Sequence, residues 1–425
     1  MEKFIITGGN RLKGRVRPAG NKNEALPLLA AVLLTDQPVI LHNLPDIGDI
    51  RSMKELLASL GVAITSLGGN SWRFEAKDLI THEPDEALSK AIRGSFLLTA
   101  PLALRLGKAK AYIPGGDAIG KRRLDTHVHP LEKLGMKFTH KGDHYVAHAK
   151  KLKGLYLLLD EASVMATEHL VMAACLAEGQ TILYNAACEP HVQGLCNMLN
   201  DMGAQIQGIG SNLLTITGVK HLHGAEHHVS PDHVEIGSFI GLAAVTGSEL
   251  IIEDPKFANL GQILHYFERL GVRVKEQDGD MLIPADQEMR VQYDLDKSIP
   301  KIDDAPWPGF PADLTSIMTI VATQCEGSIL IFEKLFESRL FWVDKLISMG
   351  ARIVLCDPHR AVISGAAQLR GTTLTSPDIR AGMALVLAAL CAEGSSEIHN
   401  IKQIDRGYEA IDSRLRALGA DIQRV

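Results

Sequence analysis

The stretch "LLASLGVAI", residues 56–64, decides how this chain is read. Its leucines at 56, 57 and 60 fall on one face of a helix, and a glycine follows at 61. A glycine directly after an apolar-periodic run is the left-handed stop of a helix, and Val-Ala-Ile then opens a strand. The phrase returns five times, as "LEKLGMKF", "LNDMGAQI", "FERLGVRV", "LISMGARI" and "LRALGADI". Its glycines are Gly61, Gly135, Gly203, Gly271, Gly350 and Gly419, spaced 74, 68, 68, 79 and 69 residues apart. Helix–glycine–strand is common in any α/β protein. Six copies at a period of about 70 residues instead mark a repeated unit.

A second phrase interleaves with the first. Six apolar helices each run into a turn and a strand: "NEALPLLAAVLLTDQPVIL", "GSFLLTAPLALRLGKAKAYI", "HLVMAACLAEGQTIL", "IGSFIGLAAVTGSELII", "TSIMTIVATQCEGSILIF" and "AGMALVLAALCAEGSSEI". They are apolar nearly all round and are therefore expected to be buried, whereas the charged LxxLG helices are expected outside. The chain thus reads as α/β, with six βαβ-containing units that divide into two groups of three with a cleft between them. The polar loop "HLHGAEHHVSPDH" (221–233) reads as hairpin or linker material.

Composition bounds the function. A chain of 425 residues suggests two or three domains at roughly 150 residues each. The net charge of -6 argues against a general nucleic-acid or anionic-membrane surface. The longest apolar run, "ALPLLAAVLL", has ten residues, too few to span a bilayer. The opening "MEKFIITGGN" reads as a strand and a turn, not a signal peptide. Cys175, Cys188, Cys196, Cys325, Cys356 and Cys391 form no C-x-x-C pair, and most lie in apolar runs as buried free thiols would. The expectation is a soluble, cytoplasmic protein.

What precedes each buried helix is informative. The entries carry Lys22 and Asn23, Arg93, Ser163, Asp232 and Glu235, Asp313, and Asp378 with Arg380. Helix N-termini carry unpaired N–H groups and suit anions, so a cation there gains when an anion binds. Plain N-capping is the simpler role for Asp313 and Asp378, and solvation the simpler one for Lys22 and Arg93. The coincidence across repeats favours an anion-binding cleft. "FESRLF" adds Glu337 and Arg339, and "QIDRGYE" adds Asp405 and Arg406, each pair readable alone as a salt bridge.

The loop "AYIPGGDAIGKRRLDTHVH" (111–129) sets one carboxylate, Asp117, beside Lys121, Arg122 and Arg123. It nearly fits the phosphate loop G-x-x-x-x-G-K-[ST], but Arg122 stands where the magnesium-binding hydroxyl belongs. His127 and His129 could suggest a His-x-His metal site, with no further ligand set placed beside them; alternating histidines more often face solvent. The third reading is a mobile lid that carries a general acid over a bound anion.

Together, "GNKNEALPLL", "IRGSFLL", "PGGDAIGKRRLDTH", "APWPGFPADL", "FESRLF", "DIRAG" and "IDRGYEAIDSRLRALGADI" resemble the enolpyruvyl transferases over essentially the whole chain. The markers "AIGKRRLDTH" and "IDRGYE" point to the branch acting on UDP-N-acetylglucosamine and away from the sister branch acting on shikimate 3-phosphate. The resemblance implies a two-domain inside-out α/β barrel of six βαβαββ units, three per domain. One domain would be discontinuous, residues 1–21 plus 234–425; the other would be 22–233 and carry the lid loop 111–123.

The implied reaction transfers the enolpyruvyl group of phosphoenolpyruvate to the 3′-hydroxyl of UDP-N-acetylglucosamine and releases phosphate, the first committed step of peptidoglycan synthesis. No cofactor, metal, nucleic acid or membrane is implied. By motif, Lys22, Arg122 and Arg406 would hold the phosphate side and Arg339 and Arg380 the carboxylate. Asn23 and Arg93 would position ligands, with Glu337 and Asp378 beside them. The nucleotide would touch Arg122, Arg123, Leu124, Asp125, Thr126, His127, Ser163, Val164 and Leu335. Asp313 matches the carboxylate beside the sugar hydroxyl. The family usually carries a cysteine on the lid as proton donor; Asp117 stands there in this chain, which implies insensitivity to fosfomycin, an epoxide that alkylates that cysteine. Arg123 replaces a frequent proline, and Met165 a small residue. A retired relative that only binds UDP-sugars is the competing reading, opposed by the retention of Lys22, Asp313, Arg339, Asp378, Arg380 and Arg406.

Overall fold

The computed structural model describes residues 2–116 and 119–425. The chain forms two compact units. One takes in the described residues of Met1–Ala19, Asp117–Lys121 and Pro231–Val425; the other takes in Gly20–Gly116 and Arg122–Ser230.

Each unit has its own hydrophobic core and its own sheets. Five four-stranded sheets and one three-stranded sheet are formed among the described residues. The pairing is mixed. In the first unit, Lys3–Thr7 pairs antiparallel with both Ser395–His399 and Asp421–Arg424, so the chain's two ends close one sheet. Thr373–Thr375 adds to the same sheet in parallel. The loop read as linker material supplies a strand, Glu226–His228, parallel to Val39–His42.

Three apolar helices lie at the centre of each unit, because helices without a polar face have no stable place at a surface. His233–Thr246, Thr315–Thr323 and Ile379–Cys391 are buried in the first unit. Lys22–Ala31, Thr99–Leu106 and Val164–Ala174 play this part in the second. The LxxLG helices bury one face only: Gly48–Ser59, Asp125–Leu134, Pro190–Asp201, Gly261–Arg269, Val343–Ser348 and Ile411–Ala417. All six repeat glycines have positive φ, from 78° at Gly271 to 113° at Gly135. At Gly271 a Cβ would also meet the Glu288 carbonyl oxygen at 2.0 Å, so the stop tolerates no side chain. No described helix is long and apolar enough to cross a membrane. Cys175, Cys188, Cys196 and Cys325 are buried free thiols, whereas Cys356 is exposed and Cys391 half-buried.

Candidate active site

In the first unit the site is built on a carboxylate between two buried cations. Asp313 sits in the short turn Ala312–Leu314, ahead of Thr315–Thr323. Its Oδ1 accepts from Arg339 Nη1 at 3.1 Å, and its Oδ2 from Arg380 Nε at 3.0 Å and Nη2 at 2.7 Å. Arg339 also donates to the Ala312 carbonyl at 3.0 Å, which fixes the turn. The two guanidinium side chains are 4% and 6% exposed while that of Asp313 is 26% exposed, so the carboxylate is the accessible part of the cluster. Burial alone would lower both arginines' pKa values; Asp313 above all outweighs it and raises them beyond their ordinary value.

N-capping describes Asp378. Asp378 Oδ1 accepts from the Arg380 and Ala381 amides at 2.8 and 2.9 Å, which caps Ile379–Cys391 and aims Arg380. Arg406 ends the short helix Lys402–Asp405 and donates to Gln403 Oε1 at 2.8 Å. Its neighbour Asp405 accepts from Arg424 at 2.7 and 2.9 Å, a partner that its local sequence does not suggest. Leu335 is 45% exposed, and its amide donates to Asp304 Oδ2 at 3.1 Å. Glu337 Oε2 accepts from the Lys121 amide at 3.2 Å, and the Ser338 amide donates to Ile119 at 3.1 Å. Gly120 has a φ of +138°, and a Cβ there would also come within 3.1 Å of the Glu337 amide nitrogen, so the position favours glycine.

In the second unit, Asn21 caps Lys22–Ala31 by accepting from the Asn23 and Glu24 amides at 2.9 and 3.1 Å. Lys22 is not merely solvated. Its Nζ lies 3.1 Å from Asp49 Oδ2, with side chains 12% and 5% exposed. Arg93 opens Arg93–Leu98, and its Nη2 donates to the carbonyls of Arg122 and Arg123, both at 3.1 Å. Burial, and then the charge of Arg122, push the Arg93 guanidinium down to about 10.

The three consecutive cations divide. Arg123 turns to Asp125 at 2.9 Å and to Asp160 at 3.1 Å, while the backbone of Arg122 is held by Arg93. Leu124 precedes Asp125–Leu134 without a side-chain cap, and Thr126 Oγ1 donates weakly to the Arg123 carbonyl at 3.4 Å. Ser163 caps Val164–Ala174, accepting from Ala166 at 3.4 Å, and Val164 and Met165 pack half-buried on the unit's core.

Neither other reading of the 111–129 loop fits. A phosphate loop leads straight from its lysine into a helix, but here Lys108–Tyr112 is the strand and the helix begins only at Asp125. His127 is buried at 1% exposure while His129 faces outward beside Glu132, so the two histidines diverge. Among the described residues no group of three or more His, Cys, Asp or Glu could hold a metal ion. Asp117 lies outside the described residues.

Some neighbours of the site were missed in sequence. Asp49 neutralises Lys22 from another helix, and its place in the first turn of Gly48–Ser59 suggests only a helix start. Asp304 and Glu333 are fully buried beside Arg339. His169 is the ring partner of His127, and its signal was an imidazole that follows Thr167 and Glu168 in a helix whose other buried residues are apolar.

Residues 6–415 match the family described as EPSP synthase (3-phosphoshikimate 1-carboxyvinyltransferase). The chain belongs to the enolpyruvyl transferase family. Relatives named UDP-N-acetylglucosamine 1-carboxyvinyltransferase come from Bacteroides fragilis, 52% identical over 434 residues with all of both chains covered, and from Treponema denticola, 52% identical over 424 residues with 100% and 99% covered. Among solved structures, the enolpyruvyl transferase NikO from Streptomyces tendae aligns with a TM-score of 0.89 at 24% identity, covering 100% and 99% of the two chains. EPSP synthase from Acinetobacter baumannii aligns at 0.76 and 17% identity, covering all of both. These two likenesses show the fold: this enolpyruvyl transferase has the inside-out α/β architecture, its six small sheets answering to the six repeats.

Proposed function

We propose that this chain transfers the enolpyruvyl group of phosphoenolpyruvate to the 3′-hydroxyl of UDP-N-acetylglucosamine and releases phosphate. The observation that carries the reading is the 52% identity, end to end, with proteins named for that activity. The solvent-accessible, half-buried Asp313 carboxylate on its two buried arginines supports it, since the chemistry asks for a base held beside cations.

The reaction is an addition followed by an elimination. The sugar oxygen attacks C2 of phosphoenolpyruvate, gives its proton to Asp313, and the C3 methylene takes a proton to become methyl. C3 then loses a proton, the bond from C2 to the phosphate oxygen breaks, and inorganic phosphate leaves. We assign Lys22, Arg122 and Arg406 to the phosphate, Arg339 and Arg380 to the carboxylate, and the proton delivered to C3 to Asp117. A carboxyl acts as an acid at neutral pH only when its pKa is raised, which a bound phosphate dianion and loss of water would do. The addition and elimination transfer no electrons, so the reaction calls for no redox cofactor. The two units stand for the two domains of the family, and the reading assigns the protein to the cytoplasm at the first committed step of peptidoglycan synthesis.

Phosphate release from phosphoenolpyruvate tests it. UDP-N-acetylglucosamine should support turnover and shikimate 3-phosphate should not; the reverse preference overturns the reading.

A further inference from the structure

His127 and His169 form a pair whose protonation is set by geometry. The Ala100 amide donates to His169 Nε2 at 3.0 Å. A backbone amide is always a donor, so His169 Nε2 carries no proton, and the neutral ring carries its proton on Nδ1. That Nδ1 lies 3.2 Å from His127 Nδ1. It donates there, so His127 is bare on Nδ1 and protonated on Nε2. Charging either ring would aim an N–H at an N–H. Burial agrees: His169 is 0% and His127 1% exposed, and the Phe96 ring packs edge-on against both, with centroids 5.8 and 5.3 Å away. Burial, with Arg93 and the partner ring adding to it for His127, holds both imidazoles well below the usual histidine range.

The pair sits at the turn that the function needs. His127 is the third residue of Asp125–Leu134, a helix whose N-cap Leu124 offers no side-chain acceptor. Arg93 grips the carbonyls of Arg122 and Arg123 just ahead of it. We propose that His169 is a positioning residue: by donating to His127 Nδ1 it fixes the Nε2–H tautomer and, with Arg93, holds the 122–126 turn in the form that binds the nucleotide sugar. His169 thereby ties together three segments, since its own helix follows the Ser163 cap and its acceptor nitrogen is anchored to Thr99–Leu106.

Spectroscopy and kinetics test it on the full chain. With ¹⁵N-labelled histidine, long-range proton–nitrogen spectra should show His127 protonated on Nε2 and bare on Nδ1, and His169 the reverse. A proton on His127 Nδ1 in the wild type overturns the proposal. His169→Asn places an amide donor where Nδ1 stood, while His169→Gln keeps an acceptor for Ala100 and loses the donor to His127. His169→Gln should raise KM for UDP-N-acetylglucosamine about tenfold, the equivalent of one hydrogen bond, with kcat nearly unchanged. His169→Asn should restore KM. Equal impairment of both variants, or an unchanged KM in His169→Gln, counts against it. The kinetic arm rests on the proposed reaction. Wild-type protein releasing no phosphate would refute that reaction, while the spectrum, which needs no substrate, still decides the tautomer.

Discussion

The two units handle buried positive charge in opposite ways. Around Asp313, two guanidinium groups share one carboxylate, and their pKa values are raised. Around Arg93, a half-buried guanidinium donates to backbone carbonyls, its strongest charged neighbour is another arginine, and its pKa is lowered. In the first arrangement one carboxylate partly offsets two cations, which leaves positive charge for the substrate carboxylate assigned to Arg339 and Arg380. The second pays for desolvation without an ion pair of its own among the described residues, which a bound anion would supply. The difference predicts that the Asp313 cluster carries both stability and chemistry, and that the Arg93 cluster carries affinity.

The largest effect should come from Asp313→Asn. It leaves two buried guanidinium groups beside a neutral amide, a break that costs about 3–5 kcal/mol, and removes a general base worth about 10²–10⁴ in rate. Denaturant unfolding and phosphate release should both fall; loss of rate with full stability would break the contrast. Arg93→Met should show the opposite pattern. Without its guanidinium the bound ligand forgoes one charge-assisted hydrogen bond, about 1.5–3 kcal/mol, which should raise KM roughly 10–100-fold. The unfolding midpoint should move far less than in Asp313→Asn, and a large drop would place Arg93 among the structural residues.

A pH prediction sharpens the account of the Asp313 cluster. Glu333, fully buried, is raised to about 9 by burial, with Arg339 opposing and Asp304 adding to the rise. A carboxyl that stays neutral in the folded chain but ionises when unfolded makes folding less favourable as pH climbs. The loss begins at the ordinary carboxylate value and ends near the folded one, at up to about 1.4 kcal/mol per pH unit. Glu333→Gln should therefore gain on the wild type between about pH 5 and 9, read as the difference in unfolding free energy; a constant difference would mean that Glu333 is ionised in the fold. The smallest effect is expected from Arg123→Ala. Its partners Asp125 and Asp160 are exposed, so KM should stay within about twofold.

Much of the architecture was legible because it repeats. Six LxxLG phrases, each ending in a left-handed glycine, encode the surface helices, and six apolar runs encode the buried ones. Helix starts were legible as places where polar side chains gather, but not which of them cap. Asp378 and Asp313 stand in similar contexts; Asp378 caps its own helix's amides, while Arg339 and Arg380, 26 and 67 residues away, reach Asp313. Lys22 looked solvated because Asp49 arrives from a different helix. Likewise the run Lys121, Arg122, Arg123 reads as one cationic patch, whereas its members turn to different neighbours. Local periodicity reports the faces of elements; long-range pairing depends on how the units fold back on themselves.

The proposed use of a lid carboxyl, Asp117, is the claim on which this account depends most. The direct measurement is time-dependent inactivation by fosfomycin, with phosphate release as the readout and mass spectrometry to locate any adduct. A carboxylate is a far poorer nucleophile toward the epoxide than a thiolate. Wild-type protein should keep its activity and carry no adduct, while Asp117→Cys should be active and lose that activity over time with the adduct on the new thiol. Inactivation of the wild type, with a covalent adduct on another residue, would contradict the assignment of Asp117 as the lid acid.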